Sequence, residues 1–286
     1  MRGGRILASP ILWVGLFFAA LLLRMEALRP VFQWAFPGIE PVIYRRSSFL
    51  ALFLSHLALV AAASLAAISV GVSLAVFVTR PIGRDFRLIV NTLATVGQTL
   101  PPAAVLAIAV PVVGFGSRPT VLALFLYGLL PIIASAIAGL EGVPGAVREA
   151  AAGLGLSSWQ QLRDVEMPLA APVILSGIRV SVTIAIGTAT IGSTVGALTL
   201  GTPIFNGLVA NKLPFVIEGA VLVALFAIVT DLSFAGLERL LRRETRQGGQ
   251  RNKSMRMPKM KTVTPLHSKR ARMVCARAES GTTRER

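Results

Sequence analysis

The spacing of charge along this chain restricts its fold more than any other feature. The intervals from Arg5 to Arg24, Arg46 to Arg80, Arg87 to Arg118, Arg118 to Glu141 and Arg179 to Lys212 contain no Asp, Glu, Lys or Arg. A helix needs about 20 apolar residues to cross a bilayer, and most of these intervals provide them. A sixth segment, Leu213 to Leu237, is apolar apart from Glu218 and Asp231. With 54% hydrophobic and 15% charged residues and a mean hydropathy of +0.70, the chain departs from soluble globular composition. The expected architecture is an all-α membrane protein, a polytopic bundle of about six transmembrane helices.

Met1 to Leu23 places basic residues before an apolar run, which is also the layout of a signal peptide. Arg24, Met25 and Glu26 follow directly, with no small-residue cleavage site, so a retained first helix is expected. Residues 24–48 carry Pro30, Pro37 and Pro41 with Trp34 and Tyr44, the composition of an external loop near lipid headgroups. Residues 1–48 thus form an N-terminal helix and loop, 49–247 a membrane core, and 248–286 a basic tail. The second helix, Phe49 to Val78, contains His56. An ionisable residue at membrane depth is a functional candidate, and a hydrogen bond to a neighbouring helix is the role it is expected to play.

The third segment is interrupted. Asn91, Thr92, Thr95, Gly97, Gln98 and Thr99 precede Leu100-Pro101-Pro102, after which the apolar run resumes to Val113. Two successive prolines remove two backbone donors and bend or break a helix. The freed carbonyls are tolerated at membrane depth only against protein or a water-filled cavity. Gln98, Thr99, Pro101 and Pro102 are therefore candidates for a translocation path, with a packing kink as the alternative. Thr120 to Gly139 is the fourth helix. In the fifth, Gly187, Thr188, Ala189, Thr190, Gly192, Ser193, Thr194 and Gly196 are a packing signal, while the hydroxyls of Thr188 and Ser193 also suit a polar route.

Between the fourth and fifth helices lies the longest polar interruption, residues 141–169. Val147 to Leu154 is rich in Ala and carries Glu149 near its start, where a carboxylate suits the helix dipole. Gly153 and Gly155 are stop signals, and Ser157 or Ser158 caps a second helix bearing Trp159, Leu162 and Val165 on one face. A projecting helix-turn-helix results, whose Ala and Gly positions offer a small flat surface to another protein. Glu149-Ala150-Ala151, Gly155, Val165 and Met167-Pro168 are spaced so that the stretch resembles the EAA loop of binding-protein-dependent ABC importers. An ordinary loop between helices is the bland alternative.

Beyond the loop, residues 91–231 look like the permease subunit of the glycine betaine, carnitine and choline importers. Gln98-Thr99-Leu100-Pro101, residues 123–131, residues 165–174 and Gly177-Ile178-Arg179 carry this likeness. One run departs from it: Gly196-Ala197-Leu198-Thr199-Leu200-Gly201 stands where the family usually has Gly-Ala-Gly-Gly-Leu-Gly. The resemblance implies a type I ABC importer permease fold and an ABC ATPase subunit docked on the loop. It further implies an extracytoplasmic substrate-binding protein and a second permease copy or paralogue. The chain itself is expected to bind no cofactor, with ATP and Mg on the ATPase subunit. Competing readings are a permease for another small solute, such as an amino acid or sulfonate, and an ion-driven secondary transporter.

Positive charge orients the bundle. With the N-terminus, the 79–87 and 141–171 loops and residues 238–247 on one side, those segments hold eleven Lys or Arg against six on the other. Both ends and the EAA loop are thus expected in the cytoplasm, in a bacterial inner membrane. No Gly-Lys dipeptide, hence no Walker A loop, occurs, and no catalytic or metal-binding constellation stands out. Lone Cys275 excludes an internal disulfide. Residues 248–286 carry eleven of the 29 Lys or Arg, so the basic excess is concentrated there. Without apolar periodicity the tail is expected to be disordered, with anionic membrane lipid rather than nucleic acid as its partner.

Overall fold

A computed structural model describes the backbone of residues 10–256 and the side chains of residues 10–239. All regular structure in it is helical. Helix α1 (Pro10–Arg24) leads through a 3₁₀ turn (Met25–Leu28) into α2 (Arg29–Ala35). Helix α3 (Phe49–Thr79) is 31 residues long, about 46 Å at the ordinary helical rise. It begins at Ser48, whose hydroxyl accepts the Ala51 N–H. It ends at Arg80, before Pro81, where an α conformation is disfavoured. Helices α4 (Arg87–Thr99) and α5 (Pro102–Val113) follow, then α6 (Ser117–Glu141).

The double proline does what its chemistry demands: the axes of the α4 and α5 segments differ by 97° across Leu100-Pro101. The broken pair still completes a crossing. Arg87 is ion-paired to Glu141 at one end of α6, while Gly116 donates to the Val195 carbonyl beside its other end. The chain between them therefore travels the length of α6. By length and composition there are five candidate spans, and six with the bent pair counted as one, which places residues 10 and 239 at the same end of the bundle.

Helix α7 (Gly145–Gly153), α8 (Ser158–Gln160), a π turn (Gln161–Glu166) and α9 (Met167–Ala189) come next. A 3₁₀ turn (Thr190–Val195), α10 (Gly201–Val209) and α11 (Leu213–Arg256) complete the chain. Helix α10 is apolar but short, and it shares the charge-free interval Arg179 to Lys212 with the fifth span. The backbone of α11 stays helical through the first residues of the expected disordered tail; the rest of that tail lies outside the described residues, as do residues 1–9.

Helices α3, α6 and α9 form the centre, and close contact explains the small residues there. A Cβ on Gly177 would meet Ser135 Oγ at 2.3 Å, and one on Gly192 would meet Thr120 Cγ2 at 2.5 Å. Gly187 behaves differently: nothing lies within 4 Å of its missing Cβ, so it serves no close approach within the bundle. Phe18, Phe53 and Phe226 join α1, α3 and α11 with ring centroids 5.1–6.1 Å apart. Each such pair adds about 1 kcal/mol beyond simple burial.

The 24–48 segment, expected as a loop near lipid headgroups, is more deeply built in than its composition suggests. Trp34 is exposed, as an interfacial anchor would be, but Val42, Ile43 and Tyr44 are buried. Tyr44 packs edge-on against Phe215, at 5.5 Å, and its hydroxyl accepts from Asn206 Nδ2. At its rim, Arg45 forms a two-pronged pair with Glu26, and the carboxylate raises the guanidinium pKa above its ordinary value.

Candidate functional site

The 141–169 stretch folds as two short helical pieces at one end of the bundle, and local sequence sets each boundary. Helix α7 stops in a Schellman motif: Gly155 N–H bonds the Ala152 carbonyl at 2.9 Å and Leu156 N–H the Ala151 carbonyl at 3.2 Å. Gly155 has φ +79°, and space around its missing Cβ is open, so backbone conformation rather than crowding demands glycine. Ser157, rather than Ser158, caps the next helix. Its hydroxyl accepts the Gln160 N–H, and the Gln160 side chain accepts the Ser157 N–H, a full capping box.

Glu149, Ala150 and Gly155 are exposed, whereas Ala151 and Leu162 are buried against the bundle. Leu154, 81% exposed, and Trp159, 67% exposed, add apolar surface beside them. Val165 and Met167 are half-buried and Pro168 is exposed. Five residues before Met167, the Leu162 carbonyl accepts its N–H, which makes Gln161–Glu166 a π turn. Pro168 has no N–H to continue an ordinary ladder, and turns of this kind are frequent at functional positions. Glu166, 2% exposed, is held here between Arg80 and Arg148.

The second group of sequence candidates surrounds the break. Gln98 Nε2 donates to the Tyr127 carbonyl at 2.7 Å. Pro131 explains this bond: four residues beyond Tyr127 on α6, it cannot supply the N–H that this carbonyl would ordinarily accept. Gln98 thus repairs a helix defect with its amide nitrogen. Thr99 bonds back to the Val96 carbonyl, and Pro101 is exposed while Pro102 is half-buried. Tyr127 was passed over as a site residue in the sequence. Its buried hydroxyl has no hydrogen-bond partner among the described residues, beside Val105 and Leu106 of α5.

Thr188 is half-buried on the α9 face that exposes Ile184 and Gly187. Ser193 is engaged otherwise. Its hydroxyl lies 2.8 Å from Thr199 Oγ1 and 3.3 Å from Thr202 Oγ1. Thr199, one of the two residues that depart from the family pattern, accepts the Gly201 N–H, and Thr202 Oγ1 accepts the Thr199 N–H. These reciprocal bonds satisfy donors at the start of α10. Fully buried His56 completes the turn: Nδ1 accepts the Leu200 N–H at 3.1 Å and Nε2 donates to the Ile186 carbonyl at 3.2 Å. That is the helix-bridging role expected of it, with the proton on Nε2.

Asp231 and Glu218, the acidic groups within the apolar part of the last helix, part ways. Asp231 is paired, both oxygens 2.6 Å from Arg179. Glu218 has no cation. Its Oε2 accepts the Tyr44 N–H at 3.0 Å, and Oε1 lacks a partner among the described residues.

The sequence pattern of the binding-protein-dependent transport system inner membrane component matches residues 67–243. The chain belongs to this family. Among relatives of this inner membrane component is the osmoprotectant import permease protein OsmY of Salmonella typhimurium. It is 41% identical over 224 residues, which cover 78% of this chain and 93% of the relative. The glycine betaine/carnitine/choline transport system permease protein OpuCB of Bacillus subtilis is 42% identical over 151 residues, covering 53% and 70%. Among solved structures, the inward-facing MetNI methionine ABC transporter has a similar chain, with a TM-score of 0.60 at 18% identity, covering 67% of this chain and 95% of that one. The fold is that of a type I ABC importer permease, and this inner membrane component is a multi-pass membrane protein.

Proposed function

We propose that the chain is the permease of an ATP-driven importer for a compatible solute of the glycine betaine, carnitine or choline class. One observation carries the reading: a chain of this family, about 40% identical to permeases named for those solutes, projects an exposed, Schellman-terminated helix from one end of a six-crossing bundle. Glu149, Ala150 and Ala151, with Gly155, Val165, Met167 and Pro168, shape the seat of a separate ABC ATPase, which binds ATP and Mg and hydrolyses the nucleotide. Leu154 and Trp159 supply apolar area there. That end faces the cytoplasm, as the positive charges favour. A substrate-binding protein delivers solute to the opposite end, and a second copy or paralogue completes the path.

The break at Leu100-Pro101-Pro102, with Gln98, Thr99 and the Tyr127 hydroxyl, borders that path, and Thr188 faces it. A neutral zwitterion needs dipoles along its route rather than full charges, which would hold it. Ser193 acts one step back, by fixing the turn into α10. An amino-acid importer is a weaker reading, because likeness to the methionine transporter is likeness of fold at 18% identity.

The test is uptake of labelled glycine betaine, carnitine, choline and methionine into vesicles holding the permease, its ATPase and its binding protein. Uptake of a quaternary ammonium solute is expected, and uptake of methionine alone would overturn the solute class. In Gly155→Val, a β-branched residue is forced to φ +79°, at a cost of about 1–2 kcal/mol in the turn. Uptake is expected to fall about tenfold with membrane insertion unchanged; wild-type uptake would remove the loop from the coupling mechanism.

A further inference from the structure

Glu166 lies between Val165 and Met167 but belongs to no position of the EAA pattern. Its carboxylate is nevertheless the most interconnected polar group at the α7 end. Arg80, just past α3, reaches both oxygens: Nη1 lies 3.4 Å from Oε1, and Nη2 makes a shorter contact with Oε2. Arg148 of α7 places Nε 3.4 Å from Oε1 and donates through Nη2 to the Leu140 carbonyl of α6 at 2.5 Å. Three elements thus meet at one side chain, the end of α3, α7 and the π turn that enters α9, and Arg148 ties in the end of α6.

Helix α7 buries only Ala151 of its nine residues. A load applied to its exposed face therefore reaches the bundle through Arg148, through the π turn against which α7 packs, and through the covalent chain. The nearby Arg87–Glu141 pair is exposed on both sides and contributes little. Arg80 is less exposed and Glu166 is buried, so their pair is screened far less by water and salt. The cavity beside it is lined by Arg80, Arg84, Arg87 and Arg148 together with Glu141 and Glu166. Excess positive charge there leaves Glu166 a cation to meet in more than one arrangement, which suits a joint that must turn without breaking.

We infer that Glu166 is the positioning residue that passes movement of α7 to the end of α3, by holding Arg148 and Arg80 on one carboxylate. The inference rests on the reading that an ATPase docks on α7. Wild-type complex in vesicles tests that reading by itself: without binding-protein-stimulated ATP hydrolysis, the reading fails whatever Glu166 does.

Given that stimulation, the measurement is solute imported per ATP hydrolysed. Glu166→Gln is expected to co-purify with its ATPase and to lower this ratio at least tenfold, and Glu166→Asp to restore at least half of it. Arg80→Gln keeps the Glu166–Arg148 pair and cuts only the link to α3; a drop of at least threefold is expected. A ratio within twofold of wild type in Glu166→Gln, or in Arg80→Gln where Glu166→Gln does not fold, would overturn the inference. Loss of ATPase binding in both variants would overturn it as well, by assigning the cluster to assembly.

Discussion

Glu166 and Glu218 are both almost fully buried, at opposite ends of α3, yet the first sits between two arginines and the second accepts a backbone N–H from Tyr44. Arginine side chains are long and can follow a carboxylate as helices shift. A backbone N–H is fixed by the chain around it and cannot. The α7 end is therefore built as a charged joint between elements. The opposite end is built as a clasp that fastens the 41–45 segment onto α10 and α11. Charge is spent where parts are proposed to move, and packing where they stay.

The largest effect is expected from Glu166→Leu, which removes the carboxylate between Arg80 and Arg148. Removing one partner from a buried pair costs about 3–5 kcal/mol, so the melting temperature of the detergent-purified protein should fall by several degrees or more. A shift as small as that of a surface variant would mean that water or lipid already screens the joint. Tyr44→Ala attacks the clasp next. It deletes a buried ring and the Asn206 bond but keeps the N–H to Glu218, at about 3 kcal/mol. Protection of 41–45 amides from hydrogen exchange should drop with it. If protection survives, the Glu218 bond alone fastens the segment. The smallest effect is expected from Glu218→Gln, whose amide oxygen still accepts the Tyr44 N–H. A melting temperature equivalent to within about 1 kcal/mol fits a neutral hydrogen bond; a loss as large as that of Glu166→Leu would show that both ends depend on charge.

Features set by nearest neighbours were legible in the sequence. The apolar intervals marked the crossings, Pro101-Pro102 marked the bend, and Gly155 with Ser157 marked the interrupted loop. Features set by contacts far apart in the chain were not. That Gln98 answers Pro131 depends on two helices packing side by side, and no local pattern announces it. No role for Glu166 was legible, because its partner Arg80 is 86 residues away. Tyr44 had the composition of a headgroup anchor, and only the arrival of Phe215 and Asn206 turns it inward. Thr199 looked like a lost glycine until its hydroxyl was seen to bond the Gly201 N–H.

The break between α4 and α5 also governs how the chain enters the bilayer. Helix α5 has 12 residues, about 18 Å of rise against a hydrocarbon core of about 30 Å, and α4 is dotted with Asn, Thr and Gln. Neither half is an insertion signal in its own right. Joined, they are long and apolar enough for one crossing, and α6, made later on the ribosome, brings the Tyr127 carbonyl to Gln98 and packs against Val105 and Leu106. The bend between them is therefore held in place only once the fourth crossing lies beside the third.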